Sequence, residues 1–200
     1  MKNTEFLDDY RNADPKTKLE ILLQNYSVVP KKIEFFQIRI RNNIKNEMEY
    51  ARGQRRGETG VRVNTSSKSD PTCAEAMTDF SLDEAFETGT IRLSVLNEIE
   101  NGSKYEVDIK TISVLKNDYE LLSLIVENLG EADCKLLHLR FVERKTFSVI
   151  GEEVELHEDT VRRKLKNLMD EIDAEILDSF ELSSRILKSY KGGKGHEGKS

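Results

Sequence analysis

DCKLLHLRFVERKTFSVIGEEVELHEDTVRRKLKNLMDEI, residues 133–172, decides how this chain reads. It predicts a short helix, a linker, and two helices joined by a tight turn. The last helix, starting near Glu158, carries Val161, Leu165, Leu168 and Ile172 along one side. At about 100° per residue, Asp159, Arg162, Arg163 and Lys166 fall on the opposite side. A dry stripe backed by a guanidinium-rich face, held by a short preceding helix, fits a DNA major groove. The segment therefore predicts a helix-turn-helix that reads double-stranded DNA. The competing structural reading is a helical hairpin inside a larger bundle.

Within the pair, Gly151 is expected to let the second helix pack closely, and Val161 to fill the inner corner. Ile150, Val154 and Leu156 supply the other apolar contacts. Leu136, Leu137, Leu139 and Phe141 form a supporting helix, giving a three-helix core. Glu155 stands where glycine would take a positive φ without strain, at a cost of about 1–3 kcal/mol for another residue. Glu158 and Asp159 suit the positive end of the helix dipole. They repel phosphates, yet a carboxylate can accept from cytosine N4. The base-reading candidates are Glu158, Asp159, Arg162, Arg163 and Lys166, with Arg163 at the centre of the exposed face. Arg144, Lys145, Thr146 and Thr160 are the candidates for contacts to the DNA backbone. On this reading, replacing Arg163 relaxes sequence preference, whereas replacing Lys145 weakens all sequences alike.

The rest of the chain sets the frame. Its 200 residues are 37% hydrophobic and 34% charged, with three prolines and no Trp, which points to an all-α fold of long solvated helices. The formal net charge of -6 opposes non-specific nucleic-acid binding, but charge is unevenly placed. Residues 31–62 carry a formal +5, mostly from arginines including Arg52, Arg55, Arg56 and Arg62. That run suits a DNA backbone, an acidic partner or a solvated loop. Cys73 and Cys134 are isolated, as are His138, His157 and His196, so free thiols and no metal site are expected. No apolar run reaches the roughly 18 residues of a membrane span, and MKNTEFLDDY lacks the apolar core of a secretory signal. A cytoplasmic location, without membrane partners, is the expectation.

Residues 16–26 predict a short helix, and Ile33, Phe36, Ile40, Ile44, Met48 and Ala51 stripe a longer one. Residues 53–70 read as an exposed, mobile loop. Asp70-Pro71-Thr72 restarts helix, with Phe80, Leu82, Phe86, Leu93, Leu96 and Ile99 as its apolar content. Asn101-Gly102-Ser103 closes that region, and residues 89–108 interrupt the helical pattern. Ile112, Leu115, Tyr119, Leu122, Val126 and Leu129 form a seam over 107–129. Its expected partner is the 33–51 helix of the same chain, with a homodimer as the alternative. The expected domains are a helical N-terminal region (1–130) with its loop, a helix-turn-helix domain (131–180), and a tail (181–200) largely disordered after 190.

Two resemblances follow from these residues. LLHLRFVERKTFSVIGEEVELHEDTVRRKL is similar to region 4 of bacterial sigma-70 factors, in its LLxLRF helix, IGEE turn and TVRR start to the recognition helix. It departs at Glu155, where glycine is usual, and at His157, where Ser or Thr commonly caps. Over roughly 31–172, the striped helix, the SSKSDPTCAEAM element, the long helix and this terminal segment resemble phage and prophage late-gene regulators of the ArpU/RinA type. That resemblance implies a transcriptional activator acting on phage packaging and morphogenesis genes. It implies double-stranded DNA as partner, RNA polymerase as a candidate partner, and a bacterial or phage-infected bacterial cell.

Three alternatives stay open. A divergent small sigma factor needs promoter-melting aromatics, but Phe35 and Phe36 sit in a packing stripe. A phage terminase small subunit usually carries its DNA reader near the N-terminus rather than here. An enzyme finds little support: GETG (57–60) lacks a following GK[ST], and HExxH and any Ser/His/Asp set are missing. No catalytic residue or cofactor is expected.

Overall fold

The computed structural model describes residues 3–58, 71–91, 96 and 99–192. Their regular structure is all helical. In chain order it comprises α1 (Asn3–Asn12), α2 (Pro15–Gln24), α3 (Val29–Glu58), α4 (Pro71–Thr88), α5 (Gly102–Glu127), α6 (Glu131–Leu137), a π-turn (His138–Val142), α7 (Phe147–Glu153) and α8 (Glu158–Gly192). Among the described residues no helix is long and apolar enough to cross a membrane.

The chain folds as two compact units, one of residues 1–32 and 115–200, the other of residues 33–114. This differs from the expected division at 130/131. The apolar stripe of α8 does not end at Ile172 but continues through Ile176, Phe180 and Leu187, all buried. The extra turns give α1 and α2 a surface to pack on, so the C-terminal segment shares its core with the N-terminus. Each fully buried Leu, Ile or Phe side chain contributes about 1.5–3 kcal/mol relative to exposure. Helix α8 therefore runs on to Gly192, twelve residues into the expected tail, and its buried Leu187 belongs with α1 and α2 to one core.

In this first unit Asp14 starts α2, its carboxylate accepting from Lys16 N (3.1 Å), Thr17 N (3.2 Å) and the Thr17 hydroxyl (2.6 Å). The Thr17 hydroxyl bond leads in holding the Asp14 carboxyl below its ordinary range. Phe6, Leu7 and Tyr10 of α1 and Leu19, Leu22 and Leu23 of α2 are buried, as are Leu136, Leu137 and Leu139 of the α6–π segment. Phe141, expected with them, is only half-buried.

In the second unit α3 buries Ile33, Phe36, Ile40 and Ile44, as the stripe predicts. It runs on to Glu58, so residues 53–58 of the expected loop are helix. Gly53 and Gly57 each cost the helix about 1 kcal/mol, and the residues between them, Gln54, Arg55 and Arg56, are good helix formers. Residues 59–70, including Arg62 and Asp70, lie outside the described residues, as do the side chains of Arg52, Arg55, Arg56 and Cys73 and residues 193–200 of the tail.

Arg41 pairs with Asp83, and Lys45 lies 2.9 Å from Asp79, tying α3 to α4. On α4, Leu82 and Phe86 are buried but Phe80, counted with them as apolar content, is 70% exposed. Gly89 ends the helix at φ 68, a conformation only glycine takes cheaply.

Asn101-Gly102-Ser103 opens a helix where a closing turn was expected. The Asn101 carbonyl accepts from Lys104 N and Tyr105 N, and a Cβ on Gly102 would stand 2.5 Å from Leu96 O. The Asn101 side-chain amide (2.9 Å) and the Tyr105 hydroxyl (2.5 Å) both donate to Glu47 Oε1 of α3. Desolvation, then this bond, pushes the Tyr105 hydroxyl above its ordinary value. Along α5, Ile112, Leu115 and Leu122 are buried within this chain, whereas Tyr119, Val126 and Leu129 are half-buried.

Candidate nucleic-acid interface

The expected helix pair is α7 and α8. Thr146 caps α7, its hydroxyl accepting from Val149 N at 3.4 Å, and the first two turns carry Ile150 and Gly151 inward. A Cβ on Gly151 would meet the Leu156 carbonyl oxygen at 2.5 Å, with Glu158 N at 3.6 Å. The glycine therefore makes room for the Leu156 carbonyl of the turn and for the start of the second helix at Glu158. Leu156 N donates back to Gly151 O at 2.9 Å, closing the turn.

Glu155 takes φ 55, as its position predicts, and Arg144 on the other side of α7 takes φ 56. A left-handed non-glycine residue costs roughly 1–2 kcal/mol. Glu155→Gly is accordingly expected to stabilise the chain by about 1 kcal/mol, raising the melting temperature by a few degrees. An unchanged or lower urea midpoint would contradict that. His157 replaces the usual hydroxyl cap: its Nδ1 accepts weakly from Asp159 N at 3.4 Å, while its carbonyl receives Thr160 N and Val161 N.

Val161 is fully buried, and Leu165, Leu168 and Ile172 follow it. Asp159, Arg162, Arg163 and Lys166 are exposed, while Glu158 and Thr160 are half-buried. The predicted readers divide into two groups. Arg162 is committed: it lies 2.8 Å from Glu158 and sits over the Phe147 ring, 5.2 Å from its centroid. Arg140 faces the same ring at 4.5 Å and donates to Lys145 O at 3.0 Å. Arg163 and Lys166 make no ion pair among the described residues, and neither does the neighbouring exposed Lys164.

The backbone candidates divide likewise. Lys145 is braced between Glu143 and Glu153, at 2.6 Å from each. The Glu143 bond leads in raising its pKa, and the reciprocal bond lowers that of Glu143. Lys145 thus ties the approach of α7 to its last residue. Thr146 spends its oxygen on the cap. Arg144 is exposed and without an ion pair among the described residues.

Carboxylates frame this cationic surface on both sides. Glu152, Glu155, Glu158 and Asp159 line an open concavity beside the turn. Beyond Lys166 the next basic residue of α8 is Arg185, and Asp170, Glu171, Asp173, Glu175, Asp178 and Glu181 intervene. Among the described residues of this helix pair, the exposed cations without an ion pair are thus Arg144, Arg163, Lys164 and Lys166, with carboxylates on either side. Lys164 and Arg140 escaped the sequence reading. Lys164 lies off the centre of the polar face, and the Arg140–Phe147 stack bridges a turn that helical spacing does not describe.

No protein family, curated protein or solved structure gives a match to this chain.

Proposed function

We propose that the chain is a sequence-specific binder of double-stranded DNA that regulates transcription, reading the major groove with the first turns of α8. The observation that carries this is the exposed, unpaired Arg163–Lys166 face, which lies opposite a fully buried stripe. A rigid helix with free guanidinium and ammonium donors on its outer side is what bidentate contact to guanine O6/N7 needs. Arg163 is the base reader and Lys166 its flanking donor, while Arg144 contacts phosphate. The likeness to sigma region 4 and to ArpU/RinA-type regulators adds the finer proposal, activation of phage or prophage late genes.

Two substitutions separate these roles. Arg163→Ala is expected to cost about 1–3 kcal/mol on the preferred duplex and to relax preference at one position. Arg144→Gln is expected to weaken all duplexes alike and to lower the salt slope by about 1. Fluorescence anisotropy over a salt series, with preferred and scrambled duplexes, measures both. Equal loss on both duplexes for Arg163→Ala would remove it from base reading.

A further inference from the structure

Between α2 and the π-turn, both in the first unit, lies an open cleft of about 300 Å³. Glu20 and Gln24 of α2 form one wall, and Arg140, Phe141 and Arg144 the other. Two guanidiniums against one carboxylate leave the cleft cationic in a chain whose formal net charge is -6. Glu20 makes no ion pair among the described residues, so it leaves both guanidiniums unpaired. Gln24, the last residue of α2, is exposed, and its amide has no hydrogen-bond partner among the described residues.

Arg140 is the fixed member of the cleft. It donates to Lys145 O at 3.0 Å, and its guanidinium lies 4.5 Å from the Phe147 ring centroid. A guanidinium carries more donors than one carbonyl can occupy, so Arg140 keeps N–H groups to offer while its side chain is held. A donor held in place beforehand loses less entropy on binding. The same Phe147 ring carries Arg162 of α8 at 5.2 Å. Phe147 thus links the cleft to the helix that bears Arg163, and Arg144 belongs both to the cleft and to the backbone contacts proposed above.

We propose that this cleft seats a backbone phosphate of the duplex whose major groove Arg163 reads, with Arg140, Arg144 and the Gln24 amide as its donors. The seat rests on that duplex-binding reading and brings α2 into the DNA surface. Guanidinium and carboxamide groups are ordinary donors to phosphate oxygens, and such contacts fix a reader's register without reading sequence. Glu20 repels the same phosphate and limits the strength of the contact.

Gln24→Lys on the full-length chain should tighten preferred and scrambled duplexes alike, roughly fivefold at physiological salt, and steepen the salt slope by about 1. Gln24→Glu should weaken both duplexes by a comparable factor. The side chain is exposed, so both variants should keep the circular dichroism spectrum and melting temperature of the wild type. Ser179→Lys adds the same charge at an exposed position about 24 Å along α8 from Arg163, several Debye lengths away, and should leave affinity and slope unchanged. Fluorescence anisotropy over a salt series reads all four proteins. Failure of the wild type to bind any duplex would remove the DNA reading and the seat together. Duplex binding by the wild type that neither Gln24 variant alters would overturn the seat alone. An equal gain from Ser179→Lys would also overturn it, since the effect would then be one of net charge.

Discussion

Asp118→Ala is expected to cost about 3–5 kcal/mol of folding stability, since it strips the partner from a buried cluster of polar groups. Asp118 of α5 is 3% exposed. One carboxylate oxygen accepts from the Tyr10 hydroxyl of α1 at 2.5 Å, the other from the Ser183 hydroxyl of α8 at 2.6 Å. Lys18 of α2 is wholly buried, its Nζ has no hydrogen-bond partner, and Asp118 is its nearby countercharge. Removing the carboxylate leaves a phenol, a hydroxyl and an ammonium in a dry interior. Lys18→Met, by contrast, is expected to cost less, because the Asp118 carboxylate it leaves without a countercharge keeps its hydrogen bonds from Tyr10 and Ser183. Urea unfolding followed by circular dichroism measures both, and a loss below 1 kcal/mol for Asp118→Ala would show that the cluster is hydrated.

The same cluster fixes a pH dependence. Desolvation lifts the Asp118 carboxyl above 3.8, outweighing the opposing bonds from Ser183 and Tyr10 and the charge of Lys18. A raised carboxylate contributes stability that is full below the unfolded value and lost as pH rises through the folded one. Relative to Asp118→Asn, the wild type should gain stability as pH falls through that window. An ordinary paired surface carboxylate gives the opposite trend.

Gly151→Ala is expected to cost about 1–3 kcal/mol and, on the proposed function, to abolish duplex binding with it. Helix propensity alone predicts a gain of roughly 1 kcal/mol for the same change. Contact decides the sign, since the new Cβ would stand 2.5 Å from the Leu156 carbonyl oxygen, a backbone atom with no rotamer to escape into. Relief requires opening the turn, which moves Glu158 and the start of α8. A stabilised variant with unaltered binding would mean that the turn yields easily.

Much of this architecture is legible in local pattern. The α8 stripe, its outward cations and the positive φ of Glu155 all follow from spacing within 133–172, because a helix maps sequence onto faces directly. The lost parts are those that spacing cannot encode. Lys145 reaches Glu153 across the whole of α7, and Arg162 reaches Phe147 across the turn. Both contacts withdraw cations that a helical projection counts as free. The Asp118 cluster joins residues separated by 108 and 65 positions, beyond any local signal. Helix α1 was missed although Phe6, Leu7 and Tyr10 mark a face, because three apolar residues in an acidic decapeptide carry little weight until α8 covers them. The early start of α5 was hidden by Asn101-Gly102, a pair that ordinarily marks a turn.

The most direct test exposes the full-length chain to a random double-stranded DNA library at physiological salt and sequences what is retained, with Arg163→Ala in parallel. The account predicts one shared motif enriched by the wild type. In Arg163→Ala that enrichment should be lost or broadened at one position, with an unchanged circular dichroism spectrum. Retention of no sequence over background by the folded wild type would contradict it, leaving α7 and α8 as a helical hairpin of the core.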